Sequence, residues 1–257
     1  DWYRRGGTRL LGRGRIAVEL ARLHAEDLED PAGALTWARR ALAPEVLASS
    51  GPDLELTATE VALRAITELL VGDDVHLEKS LEDLIQRGRR LRSQRGAWVE
   101  VTIHERGSRR DEAAAVEAIR WGAEIGHSDC MLLWARCLRD GRGVKQSYEE
   151  ALDWARRAVA LEERAACTFV VLATYRGEGV PADPAQALAL ARRYQREQPG
   201  GDTEYALGRV LIASERPEER AEGLQALKRS GNGRAKATLK ALRGPVRAPV
   251  PITKSTE

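Results

Sequence analysis

The sequence predicts an all-α chain of stacked helix hairpins, and two observations carry that prediction. First, of 257 residues, 43% are apolar and 31% charged, but only 5% are aromatic, with a single Phe and a single Met. Ala, Leu, Arg and Glu, all strong helix formers, supply much of the rest, while strand-favouring residues are sparse. Second, the chain repeats itself. Gly141-Arg-Gly-Val144 followed by Glu150-Ala-Leu-Asp-Trp-Ala-Arg-Arg157 returns as Gly177-Glu-Gly-Val180 followed by Gln186-Ala-Leu-Ala-Leu-Ala-Arg-Arg193, at a constant offset of 36 residues. Two helices of about a dozen residues and two short turns fill a unit of that size, so each unit reads as a helical hairpin.

Inside the unit each residue type has a task. Ala151, Ala155 and Ala158, and later Ala187 and Ala191, lie at helical spacing and form a stripe along which a neighbouring helix can approach. Leu152 and Trp154, or Leu188 and Leu190, add larger apolar bodies. The first glycine of each Gly-x-Gly can end a helix in the left-handed conformation and the second helps the chain reverse. Asp183-Pro184 reads as a helix start, with Asp as cap and Pro at the first helical position.

This pattern resembles the Sel-1-like repeat, a relative of the tetratricopeptide repeat. The match is good over roughly residues 128–164 and 165–200 and fades on either side. The resemblance implies antiparallel helix pairs stacked as a right-handed superhelical solenoid, with the first helix of each pair lining the concave face. It also implies a role as an adaptor that binds peptides, helices or whole domains.

Taken in order, residues 16–28 form an amphipathic helix with Ile16, Leu20, Leu23 and Leu28 on one face. Asp30 to Ala41 echoes the second-helix signature, so the chain opens with a tetratricopeptide-like hairpin. Its Ala34 lies 117 residues before Ala151, which is not a multiple of 36, so the repeat is interrupted. The interruption is expected near residues 44–53, where Ala48-Ser-Ser-Gly-Pro52 reads as a loop, followed by helices at about 56–70 and 77–92. Residues 93–110, with Gly96, Gly107 and Ser108, read as a joint. Ala118 to Gly126 is similar to the second helix of a further unit. After the two good units, Tyr205 to Leu211 is similar to a first helix whose glycine turn is replaced by Ala213-Ser-Glu-Arg-Pro217. Its partner helix follows at 223–227 and a capping helix at 235–243. The expected organisation is a tetratricopeptide-like region over 1–107, a Sel-1-like solenoid with its cap over 108–243, and a disordered tail over 244–257 whose three prolines oppose folding.

The chemistry-bearing residues point away from catalysis. His24, His76, His104 and His127 show no paired ligand spacing, so no metal is expected. Cys130, Cys137 and Cys167 include no CxxC pair, and the odd number argues against a disulfide framework. They read as small apolar fillers, and a reducing, cytoplasmic setting follows as the expectation. The Gly-x-Gly elements lack the spacing of phosphate-binding loops, and no nucleophile motif is present, so neither a cofactor nor an enzyme is expected. The chain begins at Asp1 rather than Met, which reads as a fragment or a processed product, and a regulatory portion of a larger enzyme is a further alternative. No stretch approaches the roughly 18 apolar residues of a membrane span.

The candidate contacts for a protein or peptide partner are therefore the Arg and aromatic residues of the first helices: Trp134, Arg136, Arg139, Tyr175, Arg176, Tyr205 and Arg209. Trp37, Trp121 and Trp154 share one second-helix position and read as packing residues. Net charge is only +2, but basic residues cluster: Arg4, Arg5, Arg9, Arg13 and Arg15 at the start, then Arg87, Arg89, Arg90, Arg92 and Arg95. Near the end, Lys228, Arg229, Arg234, Lys236, Lys240 and Arg243 form an alternative site for nucleic acid or another anionic ligand, set against the plain reading of a solvated cap. Oligomeric state is left open by the sequence.

Overall fold

A computed structural model describes residues 10–48, 52–69, 75–106 and 111–243, and among these there is no β-strand. The chain divides into two compact units, Asp1–His127 and Ser128–Glu257, each an array of antiparallel helices packed side by side as in an α-solenoid.

The first unit contains α1 (Leu10–Glu26), α2 (Pro31–Ala41), the single turn α3 (Pro44–Leu47), α4 (Pro52–Leu69), α5 (Val75–Arg90), α6 (Gln94–Arg106) and α7 (Glu112–Glu124). Asp30 caps α2 by accepting the Gly33 amide at 3.0 Å, and Pro31 opens the helix where its missing N–H costs nothing. The core joins Ala21, Ala34, Leu35 and Ala38 to Leu63, Leu81, Leu84 and Ile85, so α1 and α2 close on α4 through alanines. The stretch 44–53, expected to hold the interruption, contains the α3 turn and the start of α4, because Pro44 and Pro52 each sit at a helix start, where proline is tolerated. Residues 49–51 of the loop expected over 48–52 lie outside the described residues.

The segment expected as a joint over 93–110 is mostly the helix α6. Ser93 caps it, its Oγ accepting the Gly96 amide at 2.9 Å, while Val99, Val101 and Ile103 are buried. Gly96 sits at a close contact within this helix: a Cβ there would lie 3.3 Å from Ser93 and 3.4 Å from Leu63 of α4. Residues 107–110 and the tail over 244–257 lie outside the described residues, as do Arg4, Arg5 and Arg9 and the side chains of Arg13 and His76.

The arginine cluster at the end of α5 is matched by acids. Arg87 and Arg90 both reach Glu55, and Arg89 spans Glu100 and Glu117, the latter at 3.1 Å. Glu100 is buried, with 4% of its surface exposed, and the bond it forms holds the Arg89 guanidinium above its ordinary pKa. Arg89 also covers the Trp121 ring, as Arg40 covers Trp37.

The second unit contains α8 (Ser128–Asp140), α9 (Tyr148–Ala160), α10 (Arg164–Arg176), α11 (Pro184–Glu197), α12 (Gly201–Leu211), α13 (Pro217–Ser230) and α14 (Gly233–Arg243). The Gly-x-Gly turns behave as their sequence requires: Gly141, Gly143, Gly177 and Gly179 all have φ between 67° and 79°. Ser147 caps α9 through the Glu150 amide, and Asp183 caps α11 through the Gln186 amide at 2.8 Å. Ala151, Ala155, Ala158, Ala187 and Ala191 are buried, as are all three cysteines.

Where the glycine turn is missing, Ser214 accepts the Arg216 amide and Pro217 opens α13, so polar capping of a different kind reverses the chain. A second hydrogen-bond set ties the cap down. The Ser230 hydroxyl donates to the Gly201 carbonyl at 2.6 Å, and Asn232 caps α14 through the Ala235 amide. Thr168 in α10 donates to the Asp202 carbonyl at 2.9 Å, linking successive first helices.

Candidate arginine-lined site

The first helices of the second unit are α8, α10 and α12, and they carry all seven residues singled out as partner contacts, three of which, Arg136, Arg139 and Arg176, meet in one cleft. Arg136, Arg139, Arg176 and Arg234 line one small cleft of about 60 Å³ together with Ala165, Thr168, Phe169, Leu172 and Glu178. Helical spacing explains the local part: 136 and 139 are one turn apart on α8, while 165, 168, 169, 172 and 176 follow one stripe of α10. Arg234 arrives from the first turn of α14.

Three of the four guanidiniums are held by a carboxylate. Arg139 grips Asp140 with two hydrogen bonds, at 2.7 and 2.9 Å, which raises its pKa, and its guanidinium lies 5.3 Å from the Phe169 ring centre. Arg176 meets the buried Glu178 at 3.4 Å, though its own Nε is buried with no hydrogen-bond partner. Arg234 bonds Asp202 and stands 5.0 Å above the Tyr205 ring. Among the described residues no acid bonds Arg136. Burial pushes its pKa down, and repulsion from Arg234 and Arg139 pushes the same way, outweighing the weaker attraction of Asp202 and Glu163. Glu163 caps α10, and burial pushes its carboxyl pKa up.

The other predicted contacts are placed as follows. Trp134 and Tyr205 are buried, and Tyr205 accepts from Arg209 through its hydroxyl at 3.1 Å. Tyr175 is half-buried on α10. Of the alternative basic set, Arg234 joins the cleft and Arg229 is drawn onto Glu204 by two hydrogen bonds. Lys228, Lys236 and Lys240 are exposed, and the side chain of Arg243 lies outside the described residues. Glu178 and Phe169 were not singled out by the sequence. The signal for Glu178 was present, since it fills the middle of Gly177-Glu-Gly179 where the preceding turn has Arg142.

Cys130 and Cys167 are poor nucleophiles. Burial pushes the Cys130 thiol up to about 12 and the Cys167 thiol up to about 11, far from thiolate at neutral pH. Among the described residues, no group of His, Cys, Asp and Glu could hold a metal ion, and no helix is long and apolar enough to cross a membrane.

Antiparallel helix hairpins packed side by side, with no strand among the described residues, define a helical-repeat protein. The Sel1 repeat family matches residues 128–162 and 171–193, the two units bounded by the Gly-x-Gly turns, and the chain carries Sel1-like repeats. A Sel1 repeat protein from Oxalobacter formigenes has a similar structure, with a TM-score of 0.67 at 19% identity over 89% of this chain and 90% of that one. The protective antigen c5321 of uropathogenic Escherichia coli, which displays an SLR fold, gives 0.59 at 16% identity over 94% of this chain and 50% of that one. At such identities the likeness is one of fold. No curated protein matches the sequence.

Proposed function

We propose that this chain is a non-catalytic interaction scaffold that binds a protein or peptide partner on the first-helix face of its second unit. The observation that carries the reading is the arginine-lined cleft between α8, α10 and α14. Arginine and aromatic side chains dominate interface energies, and here four arginines and Phe169 share one cleft. At about 60 Å³ the cleft is too small to enclose a cofactor, for which sites of several hundred Å³ are typical. A side chain presented by a partner fits it better. The Sel1 repeats support the same reading, since proteins built from them serve as interaction scaffolds.

The test is an affinity capture from source-cell lysate with the full chain, with and without nuclease and at low and high salt, read by mass spectrometry. A stoichiometric protein that survives both treatments supports the scaffold. Recovery of nucleic acid alone, lost as salt rises, overturns it and moves the site to Lys228, Lys236 and Lys240.

A further inference from the structure

We infer that the cleft between Arg136, Arg139, Arg176 and Arg234 is a socket for one carboxylate side chain, and that it selects partners bearing an acidic segment. The inference rests on the scaffold reading and names the chemistry of the partner.

The argument is one of charge matching. Asp140, Glu178 and Asp202 each bond one cleft arginine, and each leaves it oriented by that bond. Such pairs place guanidinium forks without neutralising the site from within, because the fourth guanidinium, Arg136, is left without a bonded acid. Arg136 is half-buried and faces Arg234 and Arg139, an arrangement that costs folding free energy. A group that costs stability and has no structural partner is the mark of a site kept for binding.

The lining then selects the ligand. Arg136, the one cleft guanidinium without a bonded acid, can take one carboxylate, whereas a dianionic phosphate would set its second charge beside Glu178, which forms part of the wall. Phe169, Leu172 and Ala165 supply apolar surface for the methylenes of a Glu side chain. The buried Arg176 Nε–H, lacking an acceptor, is a donor such a carboxylate can use.

The experiment measures fluorescence anisotropy of a labelled hexaglutamate peptide with the full chain, beside hexaglutamine, and follows thermal unfolding of each variant. Wild type is expected to bind hexaglutamate and not hexaglutamine. Arg136→Met is expected to weaken binding about tenfold or more, the worth of a charge-assisted hydrogen bond, while the melting temperature holds or rises. Arg136→Lys, which keeps charge but not the fork, should lose less. The double variant Lys236→Gln, Lys240→Gln should bind as wild type does. Equal binding by wild type and Arg136→Met, an equal loss in the lysine variant, or stronger displacement by inorganic phosphate than by acetate at matched ionic strength overturns the socket. So does a wild type that ignores hexaglutamate. A protein still captured from lysate by Arg136→Met would overturn the socket and leave the scaffold standing, whereas capture of no protein by wild type would remove the scaffold itself.

Discussion

Gly179 rests on the backbone of Tyr148: a Cβ added at 179 would lie 2.4 Å from the Tyr148 carbonyl oxygen. The second turn glycine of one repeat is therefore seated on the first residue of the preceding repeat's second helix. Gly141 also has positive φ, but a Cβ there would meet nothing closer than 3.6 Å. Gly141→Ala is expected to cost about 1 kcal/mol, the conformational share alone, and Gly179→Ala roughly 2–4 kcal/mol, because fixed backbone must move as well. Urea unfolding of both variants checks the ordering; equal losses would show that the Tyr148 contact yields freely.

The caps offer a milder perturbation. Asp183 and Ser147 each accept one amide at a helix start, so Asp183→Ala or Ser147→Ala should lower stability by about 1 kcal/mol apiece. The two caps open different helices and share no partner, so the double variant should lose the sum of the two. Calorimetry of the three variants reads this directly.

In the first unit the sensitive point is Arg89 with Glu100. Removing the arginine leaves a buried carboxylate with less compensation, so Arg89→Met should destabilise by roughly 3 kcal/mol, whereas the charge-neutral Glu100→Gln should cost less. Arg87→Met, whose partner Glu55 keeps Arg90, should be milder than either. Denaturant midpoints of the three variants would reverse the reading if Arg87→Met proved the worst.

Alkaline pH provides a signed test. Burial raises the Cys130 thiol from 9.0 to about 12, so the folded state holds a proton that the unfolded state releases. Its contribution to stability is fully present below pH 9 and declines as pH rises from 9 towards 12. Cys167 adds the same sign between 9.0 and about 11. Cys130→Ala should flatten the decline in chemically monitored unfolding above pH 9, and at pH 8 Cys130 and Cys167 should react with a thiol reagent only as fast as the protein opens.

Much of this was legible in the chain. The Gly-x-Gly recurrence, the Asp183 cap, the alanine stripes and the buried cysteines follow from local chemistry that a short window contains. Helix α6 was not, because Ser93 and Gly96 are turn formers in isolation. Only the packing of Gly96 against Leu63 shows the glycine serving close helix contact. The arginines of the cleft were legible as a residue type on the first helices, but not their grouping. Arg234 stood in a separate basic cluster of the sequence, and its ion pair with Asp202 brings it to the face that holds Arg136. Likewise the arginines at 87, 89 and 90 read as a positive patch until Glu55 and Glu100 arrive from neighbouring helices.

The route of Arg234 into the cleft also sets an order of events during synthesis. Residues 136 to 178 leave the ribosome well before α14, whose start is tied down by the Ser230 hydroxyl and the Asn232 amide, both donating to the Gly201 carbonyl. The cleft is thus completed only once Arg234 has emerged. A chain stopped before α14 presents three of its four arginines, and possession of the fourth marks a chain translated at least to the start of α14.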